Sequence, residues 1–114
     1  MNLPLKSVTI ATLACLHIVP TLPAAEARPV QEATTFLETY NHTYQRLYAV
    51  SQEAQWLALT DVTDEHTGQR IGADRALAAF VGSPWVIEKT RALLQQTNQL
   101  DNLTVRQLRA ILLN

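Results

Sequence analysis

From Gln31 to Leu59 the chain runs without a single Gly or Pro, and aromatic rings recur within that run at Phe36, Tyr40, Tyr44 and Tyr48, each four residues after the last. A four-residue step returns to nearly the same side of an α-helix, so the spacing predicts one long helix carrying an aromatic stripe. Leu37, Leu47, Ala54 and Ala58 belong to the same stripe, while Glu38, Gln45, Arg46, Gln52 and Glu53 fall largely off it. Such a helix exceeds the roughly 10–14 residues usual in globular proteins. Its stripe does not keep a heptad, which favours a large helical protein over a coiled coil.

Three further helices are expected, and no strand. Thr60-Asp61-Val62-Thr63 ends the first helix, and Thr63 is placed to cap a second by accepting from its orphan N–H groups, with Asp64 and Glu65 at its positive end. The second helix should reach Phe80 or Val81 and bury Ile71, Leu77, Phe80 and Val81. Gly68 and Gly72 within it either admit a close neighbouring helix or fray the first turns. Val81-Gly82-Ser83-Pro84 is a boundary: Gly82 suits a left-handed C′ position, Ser83 an N-cap and Pro84 the first turn. A third helix, Pro84 to Thr97, is expected to bury Trp85, Ile87 and Leu94. A fourth, capped by Asp101 or Asn102, should turn Leu103, Leu108, Ile111 and Leu112 inward. No stop signal closes it before Asn114, which suggests a sequence cut within an element.

The first 27 residues read as an export segment. Lys6 precedes an apolar run that includes Val8, Ile10, Leu13, Cys15, Leu16, Ile18 and Val19; Pro20 and Pro23 break it; Ala25 and Ala27 form an A-x-A cleavage signal with Arg28 as the new N-terminus. That run is too short for a permanent anchor across a ~30 Å hydrocarbon core, so no transmembrane helix is expected after cleavage. Cys15 following Ala14 raises a lipoprotein as an alternative, but Thr12 stands where a lipobox wants an aliphatic residue. The product, residues 28–114, is expected in the periplasm or outside the cell. It would hold no cysteine and so no disulfide.

Setting aside Lys6 and Glu26, the product carries eight Lys/Arg against nine Asp/Glu. This balance, with the basic residues scattered, argues against a nucleic-acid partner. A chain this small buries only about 60–65% of its unfolded surface, so independent folding is marginal.

Catalytic chemistry is not legible in the residues. A helical zinc site needs His at i and i+4 with a carboxylate beside the first, but Arg46 and Arg70 stand four places beyond His42 and His66. Asp64-Glu65-His66 reads as a solvated first turn. Ser51 and Ser83 lack the strand-turn-helix setting of a nucleophile, and no Gly-rich phosphate loop occurs. No catalytic, metal or cofactor-binding residue is therefore assigned. The aromatic stripe is read as structure that buries Phe36 and half-buries the tyrosines or, less favoured, as a stacking platform for sugars, bases or peptides; Tyr40, Tyr44, Tyr48 and Trp56 are the candidate lid or packing residues. The sequons at Asn41 and Asn102 are read as incidental.

The run from Phe36 to Thr67 resembles the N-terminal region of the angiotensin-converting-enzyme-like zinc metallopeptidases, bacterial members above all. Glu53-Ala54-Gln55-Trp56 matches the family's E-A-x-W element and Thr60-Asp61-Val62-Thr63 its T-[DN]-[IV]-T link; Ala78 to Gly82 and Leu103 to Leu112 are also similar to the bacterial branch. The resemblance implies an all-α fold and an exported peptidyl-dipeptidase that releases dipeptides from oligopeptide C-termini with zinc held by H-E-x-x-H and a later glutamate. It implies a lid role for Phe36 to Leu59 and Asp64 to Phe80, with Trp56 as an anchor on the remainder of the peptidase domain. None of the zinc or catalytic residues of that family stands in this sequence, so a lid fragment, inactive alone, is the expectation. The alternatives are a free-standing periplasmic helical module that binds through the tyrosine stripe, and a lipoprotein tethered at Cys15.

Overall fold

The computed structural model describes residues 24–113, with side-chain burial from Arg28 onward. The apolar run read as an export segment, Cys15 included, lies outside the described residues, as does Asn114. Within them the chain is all-α: α1 (Ala24–Thr60), α2 (Asp64–Val81), α3 (Pro84–Leu94), a single 3-10 turn (Thr97–Gln99) and α4 (Asn102–Ile111). No helix among the described residues is long and apolar enough to cross a membrane.

The boundaries follow from local chemistry. Thr63 accepts from the His66 N–H at 3.1 Å and Ser83 from that of Val86 at 3.3 Å, each satisfying one orphan donor of the helix it opens. Pro84 occupies the first turn of α3. Asp101 caps α4 with Oδ1 accepting from the N–H groups of Leu103 and Thr104, at 2.8 and 3.0 Å, while the Thr104 hydroxyl donates to Oδ2 at 2.6 Å. The Thr104 hydroxyl above all, then the two backbone donors, hold the Asp101 carboxyl below the usual aspartate range.

Two boundaries and the conformation of one cap differ from expectation. Helix α1 begins at Ala24 rather than Gln31, with Pro29 inside it. Helix α3 stops at Leu94 instead of Thr97, because the polar run from Gln95 onward tightens into the 3-10 turn. Gly82 has φ −83° and ψ 6°, so it caps α2 without the left-handed conformation; its N–H bonds the Ala78 carbonyl at 2.9 Å.

The core joins α1, α3 and α4. Ala33, Phe36, Leu37 and Tyr40 meet Val86 and Leu93 of α3 and Leu108 and Ile111 of α4. Helix α2 adds no buried residue, although it runs along α1 in the most extensive pairing of the fold. From α2, Phe80 alone packs against the core cluster, and it is only partly buried.

Several inward assignments are therefore corrected. Ile71 is exposed, and Leu77, Phe80 and Val81 are half-buried. In α3 the buried positions are Val86, Thr90 and Leu93, a shift of one residue from the expected face of Ile87 and Leu94, and Trp85 is more than half exposed. In α4 Val105 replaces Leu103 on the buried side, and Leu112 is exposed. Thr90 is fully buried because its hydroxyl donates to the Val86 carbonyl one turn back, at 2.7 Å, so its polar atom is satisfied inside the helix. An added Cβ at Gly68 or Gly72 meets nothing within 4 Å, which excludes the close helix contact considered for that pair.

Candidate functional site: an aromatic ladder beside an open groove

The stripe of α1 is a ladder that rotates out of the core. At 100° per residue a four-residue step overshoots a full turn by about 40°. Successive rungs therefore drift around the helix, from buried Phe36 and Tyr40 through half-buried Tyr44 to Tyr48, which is 46% exposed. The rings follow one another at 6.2, 5.8 and 5.9 Å, and the two tyrosine pairs are close to parallel at 16° and 14°. Trp56, two steps further on, has drifted about 200° from Phe36 and is 67% exposed. The structure thus brings Tyr40, Tyr44 and Tyr48 together and sets Trp56 apart, on the outer surface with Leu59 and Val62.

Two grooves flank the ladder. The larger, about 600 Å³, is open and mainly apolar, and every α-helix contributes to it: Tyr44 from α1, Leu77 and Val81 from α2, Ile87 and Arg91 from α3, Ile111 from α4. Asp74 sits on its α2 wall. The smaller, about 430 Å³, lies over the contact of Phe36 with Trp85, whose rings are 5.6 Å apart at 60°. The ion pair between Lys89 and Glu32 borders it and ties α3 to α1.

Sequence reasoning missed the groove wall and one polar contact. Ser51, 4% exposed, donates its hydroxyl to Asp74 Oδ1 at 2.7 Å, and Arg70 donates to Oδ2 at 3.2 Å. The available signal was position: Ser51 lies one helical turn before Ala54 on the buried side of α1.

The histidines do not converge. His42 is exposed on α1. His66 Nδ1 lies 2.8 Å from the Asp61 carbonyl oxygen and 3.3 Å from Asp61 Oδ2. Both neighbours are acceptors, so Nδ1 carries the proton and the ring closes the link between α1 and α2. Among the described residues no three His, Cys, Asp or Glu side chains come together in a way that could hold a metal ion.

The described side chains thus form an open, mainly apolar groove beside an aromatic surface that is exposed at Tyr48 and Trp56. The angiotensin-converting enzyme family model (peptidase family M2) matches residues 27–113. The chain belongs to that peptidase family. No solved structure matches it. The zinc that the family resemblance implies does not fit the residues described here, since no histidine of the chain is followed by the Glu of H-E-x-x-H and the two described histidines are separately engaged or exposed.

Proposed function

We propose that this chain is the lid portion of an exported peptidyl-dipeptidase of the angiotensin-converting enzyme family. The family match across residues 27–113 carries the reading. Helices α1 and α2 roof the substrate channel of the complete enzyme. The remainder of the peptidase domain is the partner that fills the large groove and covers Trp56, and oligopeptides are the substrates. The zinc ligands and the catalytic base belong to that remainder, so the chain by itself is inactive.

Two observations support export with removal of residues 1–27. The family match begins at Ala27, one residue before the expected new N-terminus at Arg28. Pro29 stands within α1, where a proline costs about 3 kcal/mol relative to an ordinary residue. Cleavage after Ala27 moves it into the first turn, where its missing N–H costs nothing. The mature protein then resides in the periplasm or outside the cell.

The purified chain is to be incubated with an oligopeptide and zinc while dipeptide release is followed by mass spectrometry. No release is expected, and zinc-dependent release would overturn the reading. The nucleotide sequence following the Asn114 codon is the companion test. A frame encoding H-E-x-x-H supports the lid; a stop followed by unrelated sequence supports the second reading. That second reading is a free-standing binding module, and the open face of Tyr48, stacked on Tyr44, is what favours it.

A further inference from the structure

Helix α2 lies along α1 in the most extensive helix pairing of the fold, yet its hold is uneven. It gives no residue to the buried core, and only Phe80, near its C-terminal end, packs on that core at all. At its other end the His66 ring holds the link. Between these two stations, the one side-chain hydrogen bond from α2 to α1 among the described residues is Ser51 to Asp74. Ser51 is buried, Asp74 is charged, and Arg70 fixes the second carboxylate oxygen. A short bond from a buried hydroxyl to a carboxylate held in place by a cation is among the stronger kinds of hydrogen bond. Below it on α1, Ala54 and Ala58 are buried but offer little side chain to grip.

We propose that α2 opens as a unit from a persistent α1–α3–α4 core, and that the Ser51–Asp74–Arg70 contact is the latch that keeps it closed. Asp74, Leu77 and Val81 together form one wall of the large groove. Opening the latch therefore moves that wall and widens access to the apolar surface behind it. The lid reading gives this motion its purpose and the inference rests on that reading for its role, but the latch itself is tested on the isolated chain, without substrate or zinc. Its failure would leave the family reading intact.

Hydrogen exchange read by mass spectrometry on the full chain separates local opening from general loss of stability. Ser51→Ala removes the donor without adding bulk. Amides of residues 64–81 should exchange about tenfold faster, those of α3 and α4 should be unchanged, and binding of a dye that fluoresces on apolar surfaces should rise. Unchanged exchange in α2, or equal acceleration in all helices, would overturn the latch. Faster α2 exchange with unchanged dye binding would overturn the moving wall. A second variant, Asp74→Ala, should reproduce the effect, and the double variant should add little to it; full additivity would show that the two residues act separately and overturn their assignment as one device.

Discussion

Phe80 sets its ring 5.4 Å from that of Tyr40, at 27°, and this contact is where α2 meets the core. Tyr40 is itself 3% exposed, stacked on Tyr44 and in tilted contact with Phe36. The aromatic ladder of α1 therefore serves first as a packing surface for its neighbours. It becomes an open surface only where helical drift carries it beyond them, at Tyr48 and Trp56.

The register of α4 yields a paired prediction. Leu108 is fully buried, and Leu108→Ala should cost about 2–5 kcal/mol. Leu103 is 63% exposed, and Leu103→Ala should stay within about 0.5 kcal/mol of the parent. Urea midpoints of the two variants check this. Comparable losses would mean that α4 turns a different face to the core.

The glycines of α2 yield a gain. Both adopt helical backbone, and a Cβ at either position enters open space. Gly68→Ala and Gly72→Ala should therefore each stabilise the chain by up to about 1 kcal/mol, through helix propensity and a less flexible unfolded state. Thermal midpoints of the single and double variants test it. A loss at either site would reveal a close neighbour there.

Element ends were far more legible in the sequence than element faces. Thr63, Ser83-Pro84 and Asp101 announce their helices because a cap is a local bond between residues two or three apart. Faces are decided by neighbours the sequence does not show. Helix α3 has apolar residues on most sides, with Trp85, Val86, Ile87, Leu93 and Leu94 all able to face inward, so a one-residue error in its orientation has no internal contradiction. Thr90 and Ser51 added to the difficulty. Both look like surface residues, yet each buries its hydroxyl against an acceptor, the Val86 carbonyl for Thr90 and the Asp74 carboxylate for Ser51. The aromatic stripe was legible as a pattern, but its exit from the core follows only once the about 40° drift per rung is set against the positions of α2 and α3. The groove was not legible, since it is made by residues from four helices that share no sequence motif.

Asp101 gives a pH dependence with a definite sign. Its carboxyl is held below the usual range in the folded chain, chiefly by the Thr104 hydroxyl and then by the Thr104 and Leu103 N–H groups. A carboxyl with a lowered folded value contributes stability that is complete above its unfolded value, about 3.9, and is lost as pH falls through the folded value. Asp101→Asn keeps a capping oxygen but cannot titrate. The stability advantage of the parent over this variant should be constant near neutral pH and shrink in acid below about pH 4. An advantage that grows with acidification would contradict the cap geometry.

Trp56 and Trp85 make the packing reading measurable in the isolated chain. Both indoles are more than half exposed, and among the described residues Trp85 alone of the two has a ring partner, Phe36. Acrylamide should quench both strongly, and Trp56→Phe should change stability by no more than about 0.5 kcal/mol, because two thirds of its surface is open to solvent. Trp85→Ala should cost more, since it strips cover from Phe36 and removes an aromatic contact worth about 0.5–1.5 kcal/mol beyond its area. If the remainder of a peptidase domain normally covers Trp56, its emission in the complete enzyme should shift to the blue and resist quenching. An indole equally open in both settings would remove Trp56 as the anchor and leave the groove to carry the contact alone.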